Sequence, residues 1–169
     1  LPSSLSPRMS ASDQIACTSC HADDEGGSNG PHGSDFAPIL KERYETVDGT
    51  LESFDNYALC YRCHERSSLL ADQSFRAAST RTTSSGGGHS GHLAAGAPCS
   101  ACHDPHGVPT TGNEAFRPTG DHTHLINFDT RIVSPLPGAL VPLFEDKGPQ
   151  TGSCTLVCHG VTHLQTAYP

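Results

Sequence analysis

Tryptophan is absent from this chain of 169 residues, methionine occurs once (Met9), lysine occurs twice (Lys41 and Lys147), and no apolar run is long. Each shortage excludes something. Ten basic residues stand against 18 acidic ones, for a net charge of −8, and no basic stripe exists to track nucleic acid. Nor is there a basic amphipathic segment to hold an anionic membrane surface. No stretch approaches the roughly 20 apolar residues of a membrane-spanning helix. Hydrophobic residues make up 34% and aromatic residues 6%, whereas 17 glycines and 13 prolines interrupt the chain. Long regular elements should therefore be scarce. The length suits one domain, residues 1–169, with no evident linker. A domain of this size ordinarily buries more apolar side chains to offset the entropy of ordering the backbone. Something other than side chains is expected to fill its centre.

Cysteine is what the chain has in quantity. All eight cysteines fall in four pairs, and a histidine follows the second member of every pair. The pairs read "CTSCH" (Cys17, Cys20, His21), "CYRCH" (Cys60, Cys63, His64), "CSACH" (Cys99, Cys102, His103) and "CTLVCH" (Cys154, Cys158, His159). With 11 histidines in the chain, four such placements by chance would arise about once in fifty thousand, and C-x-x-C-H is the attachment signal of c-type haem. Two thiols add across the two vinyl groups of the porphyrin, and the adjacent imidazole binds the iron from the proximal face. The fourth pair has three intervening residues, which still lets both sulfurs reach. Zinc ribbons place their pairs closer together and need no histidine after each. A disulfide framework would not explain the histidines either. Four covalently attached haem c groups are expected, and they account for the thin apolar composition.

Seven histidines remain for the distal positions: His32, His89, His92, His106, His122, His124 and His163. Met9 precedes every pair, so methionine serves at most one iron. Its near absence favours low-potential irons held by two histidines. His106 lies three residues after His103, and three residues span at most about 10 Å. That is too short to round a porphyrin edge, so His106 is expected to bind a different haem from His103. His163 stands in the same relation to His159. His32 sits in a glycine–proline turn, "NGPHG". His89 and His92, in "GGGHSGH", can serve two different irons. Between His122 and His124, the apolar Leu125, Ile126 and Phe128 favour His124 as the ligand and leave His122 exposed.

Mostly irregular structure is expected, with a few short helices and little strand, wrapped around a stack of four haems. One helix is predicted over 36–45 and another over 53–66, the latter capped by Asp55 or Asn56 and carrying Cys60, Cys63 and His64. Residues 79–92 read as a loop. The stretch 131–144 reads as an edge strand or a cover over a haem face.

The sequence of phrases "CTSCH…PHGSDFAPILK…ALCYRCH…CSACHDPHG…HLINF…CTLVCHG…H" resembles the multihaem c-type cytochromes of the doubled C-x-x-C-H class, from about residue 17 to 163. The tetrahaem subunits of extracellular cytochrome filaments look most similar. That resemblance implies a continuous stack of bis-histidine haems, and it allows one axial histidine to come from a neighbouring copy. His163 is the candidate to reach across such a boundary.

The expected function is electron transfer, not enzymatic turnover. A filament subunit at the cell surface or outside it is favoured over a monomeric periplasmic carrier. A multihaem reductase would need an open iron with acid–base groups beside it. The seven spare histidines make one unnecessary. Expected partners are other copies of the chain and redox cytochromes or extracellular acceptors, with neither nucleic acid nor a membrane span. Haem c is attached after export, so the location is outside the cytoplasm. The opening "LPSSLSPRMSASDQ" has no charged or apolar leader character, and a signal peptide is expected to have been removed already.

Overall fold

The computed structural model describes residues 4–10, 12–25, 33–73, 88–107, 125–148 and 151–168. Among the described residues, four short helices and one antiparallel sheet make up the regular structure. The helices are α1 (Cys17–Cys20), α2 (Ala58–Tyr61), α3 (Arg66–Leu70) and α4 (His89–Ala94), with single 3₁₀ turns at Asp55–Tyr57 and Cys99–Ala101. The strands are β1 (Val133–Ser134), β2 (Leu143–Gly148), β3 (Thr151–Cys158) and β4 (Val161–Tyr168). β3 pairs antiparallel with all three others. Among the described residues, no helix is long and apolar enough to cross a membrane.

The helix predicted over 36–45 does not form. Pro38 has no amide hydrogen to give and pushes Ala37 out of the helical region. Ile39 then adopts a positive φ of 65°, and the segment closes as a tight turn through Leu40 N–H donating to the Phe36 carbonyl (2.7 Å). The helix predicted over 53–66 splits. Ser53 Oγ accepts from Asn56 N–H (3.1 Å), so a serine takes the role assigned to Asp55 or Asn56. α2 ends at Tyr61, leaving Cys63 and His64 beyond it. At the end of the stretch read as a loop, residues 89–92 form most of α4. Asp72 caps that helix, accepting from Ser90 N–H (2.9 Å) and Ser90 Oγ (2.6 Å), where a carboxylate also faces the positive end of the helix.

The sheet is the larger departure from an expectation of little strand. Residues 131–144 do contribute β1 and the start of β2, but β3 and β4 follow as a hairpin with the fourth cysteine pair on β3. Thr155, Val157, Val161, Thr162 and Thr166 supply the branched side chains that fit a pleated surface. Among the described residues, side chains form a small core. Around Ala101, Val133, Cys154 and Leu156 pack the half-buried Cys102, Phe128, Ile132, Phe144 and Cys158. Large apolar residues elsewhere stand exposed, among them Leu140 (86%), Leu164 (69%) and Leu51 (67%).

Candidate haem-iron sites

Three of the four cysteine pairs are built alike. In each, one turn of chain closes when the histidine N–H donates to the carbonyl of the first cysteine: His21 to Cys17 (2.8 Å), His64 to Cys60 (2.9 Å) and His103 to Cys99 (2.9 Å). An extended segment then runs antiparallel to each motif. Leu40 bridges His21, Leu5 bridges His64 and Ile126 bridges His103. The residue after each bridging position donates its N–H to the second cysteine's carbonyl: Lys41 to Cys20 (2.9 Å), Ser6 to Cys63 (2.7 Å) and Asn127 to Cys102 (2.8 Å). Sequence reasoning missed these three segments. Their only trace is an aliphatic residue, Leu5, Leu40 or Ile126, that recurs beside a motif it does not adjoin in sequence.

The imidazoles carry the orientation a metal needs. His21 Nδ1 bonds the Pro38 carbonyl (3.1 Å) and His64 Nδ1 the Ser4 carbonyl (3.2 Å). His92 Nδ1 bonds the Gly88 carbonyl (2.8 Å). A carbonyl can only accept, so Nδ1 holds the proton and the lone pair lies on Nε2, the tautomer in which a histidine is held to bind a metal. Burial holds His64 below its ordinary pKa. Burial and then the neighbouring His103 bring His89 down to about 4, and burial and then His92 lower His163. Neutral imidazole is the form that ligates metal.

Six of these rings come together in pairs. His21 and His106 have centroids 6.0 Å apart with ring planes inclined by 16°. His89 and His103 are 6.1 Å apart at 34°, and His92 and His163 are 6.1 Å apart at 27°. Two imidazoles that bind one metal from opposite sides, each through a nitrogen roughly 2 Å away, have centroids about 6 Å apart. Ring stacking spans about 4.5–7 Å, so one distance alone would decide little. Three pairs agree within 0.1 Å, and two of them join an attachment-motif histidine to a spare one from another part of the chain. These residues fit an iron held between two histidines. Residues 9–69 match the family model of the doubled CXXCH motif.

That match contains the first two motifs and supports a multihaem c-type cytochrome, with covalently bound haem c and electron transfer as its function. No curated protein and no solved structure matches the chain.

The cysteines sit close across motifs. The Cys99 and Cys60 thiols share a hydrogen bond, which together with burial pushes Cys99 up. Burial, then Cys154 and Cys158, raise Cys102 to about 12. Burial also raises Cys20 and Cys158. The same Cys60–Cys99 hydrogen bond lowers Cys60.

The fourth motif is different. Cys154 and Cys158 lie on β3, where four residues extend over roughly 13 Å, and no helical turn gathers them. His159 sits in the β3–β4 turn with φ 50°, its Nε2 2.7 Å from Asp48 Oδ1. His163, expected to serve a neighbouring copy, folds back within its own chain to face His92. His64 has no ring pair of this kind among the described histidines. His32, His122 and His124 lie outside the described residues.

Proposed function

We propose that this chain carries electrons through four haem c groups, each iron held by two histidines, and that it does so as a repeating subunit of an extracellular cytochrome filament. The observation that carries the electron-transfer reading is the two pairs that join a motif histidine to a spare one, His21–His106 at 6.0 Å and His89–His103 at 6.1 Å. Haem supplies one-electron iron chemistry when bound. The chain's own part would be to hold each iron between two histidines, which would leave substrate no place on it. It also packs motif against motif, as the Cys60–Cys99 and Cys102–Cys154 neighbours do. The ligands opposite His64 and His159 are sought among His32, His92, His124 and His163.

The filament reading draws support from the resemblance of the motif order and from exposed large apolar residues, among them Leu140, Val161 and Leu164. The net charge of −8, increased by haem propionates, suits cationic or mineral acceptors. Negative-stain electron microscopy of native material is the test. Filaments of uniform width are expected. Discrete particles alone would make the protein a monomeric periplasmic carrier.

A further inference from the structure

We propose that a cavity on the outward side of the second attachment motif binds a planar aromatic anion. On the reading that haem c is bound, this ligand accepts electrons from the haem carried by Cys60 and Cys63. The cavity measures about 340 Å³, and Ser6, Arg8, Glu42, Phe54, Tyr61 and Arg62 are among its walls. That volume lies at the lower end of small-molecule sites, about 300–1,000 Å³.

Helical spacing sets its place. Cys60, Cys63 and His64 stand at i, i+3 and i+4 and share one face of the turn. Ala58, Tyr61 and Arg62 repeat that spacing two residues earlier, and two residues turn a helix by about 200°. The helical path runs through the motif, with Arg62 N–H donating to the Ala58 carbonyl (3.1 Å) and His64 N–H to the Cys60 carbonyl (2.9 Å). Ala58, Tyr61 and Arg62, all lining the cavity, therefore face away from the side that receives haem. The cavity is not the haem's own place, and one helix separates the two.

The walls are tied to that turn by backbone bonds. Ser6 N–H donates to the Cys63 carbonyl (2.7 Å), and Met9 N–H to the Ser6 carbonyl (2.9 Å), closing the turn that carries Arg8. Leu59 N–H donates to the Arg43 carbonyl (3.1 Å), next to Glu42. A site held this way has little ordering left to do when a ligand enters.

Three features select the ligand. The Phe54 and Tyr61 rings lie 5.9 Å apart with planes inclined by 24°, and Phe54 is 55% exposed, an apolar surface that suits a flat ring. Charge is the second. Arg62 pairs with Glu42 (3.1 Å), and Arg43, Arg66 and Arg131 each pair with a carboxylate, whereas Arg8 has no such partner among the described residues. Two guanidiniums against one carboxylate leave the cavity positive in a chain of net charge −8. Third, the Ser6 hydroxyl oxygen is buried without a hydrogen-bond partner among the described residues, and a buried group of that kind calls for one. An aromatic anion of quinone type fits this site and the electron-transfer chemistry. Two ferrous haems give one electron each and become ferric, two protons come from solvent, and the quinone leaves as the hydroquinone.

The test uses the holoprotein and two probes. Naphthalene-2-sulfonate, which is redox-inert, is titrated by calorimetry, and one saturable site per chain is expected. Arg8→Gln is expected to weaken it roughly tenfold and Phe54→Ala roughly fivefold. Both positions are exposed, so the fold is expected to survive either change. Arg131→Gln, which removes a cation outside the cavity, is expected to leave binding unchanged. Anthraquinone-2-sulfonate is then mixed anaerobically with holoprotein that has been reduced and freed of reductant. Haem reoxidation is expected to saturate with quinone, at a higher half-saturation in the Arg8 and Phe54 variants. The inference is overturned if naphthalene-2-sulfonate shows no saturable binding, if both variants bind it as wild type does, or if reoxidation is the same in all. A preparation without covalent haem, or with haems that neither take nor give electrons, is instead a failure of the electron-transfer reading.

Discussion

Two single residues decide more than their size suggests. Gly96 holds φ 82° against the Gly49 backbone, a conformation and a clearance that an alanine side chain does not tolerate. Gly96→Ala is expected to cost on the order of 1–3 kcal/mol and to lower the unfolding midpoint of the holoprotein in a thermal melt. An unchanged midpoint would show that the turn carrying Asp48 shifts freely. Glu52 is the second. Its carboxylate accepts from Arg66 Nε (2.8 Å), Arg66 Nη2 (2.7 Å) and Tyr61 Oη (2.9 Å), and the Arg66 bonds, ahead of all else, hold its pKa below the ordinary carboxylate value. A depressed folded pKa contributes stability that is present above the unfolded pKa and is lost as pH falls through the folded one. Because Arg66 is partly solvated, Glu52→Gln is expected to cost about 1 kcal/mol at neutral pH. That cost should vanish in acid, and chemical denaturation at the two pH values would read it.

At the scale of elements, the attachment motifs were legible and their supports were not. A cysteine pair followed by histidine is local chemistry, and one hydrogen-bonded turn realises it at His21, His64 and His103. The strands that brace those turns come from residues 4–6, 40–41 and 126–127, far away in sequence, and no periodicity announces a bridge of one residue. The predicted helix at 36–45 failed at Pro38, a breaker visible in the sequence but outweighed there by the spacing of Ile39, Leu40 and Tyr44. α4 was hidden for the opposite reason. Its glycine-rich approach reads as loop, and its cap, Asp72, lies 18 residues upstream of Ser90. Since α4 carries both His89 and His92, loss of that cap should displace both rings. Asp72→Ala is expected to cost about 1 kcal/mol and to speed amide exchange across residues 89–94 more than across α2. Uniform exchange would remove the cap from the account.

For the whole molecule, composition predicted that side chains would be too few to make a core, and the buried set around Val133 and Leu156 is small. The C-terminal hairpin was not foreseen because Cys158–His159 reads as the end of a motif, whereas its positive-φ histidine followed by Gly160 makes the turn of a sheet. Haem binding should therefore dominate the folding free energy, as for any ligand that binds only the folded state. Chain expressed without haem attachment is expected to lack a cooperative thermal transition by calorimetry. A sharp transition in that material would show that the side-chain core suffices.

The account's central claim is that each iron in this chain sits between two histidines. The most direct measurement is low-temperature electron paramagnetic resonance of the fully oxidised holoprotein, integrated against its haem content. Four low-spin ferric centres per chain, none high-spin and none altered by added cyanide, is the expected result. A high-spin ferric signal that shifts with cyanide would reveal an open iron and contradict the claim.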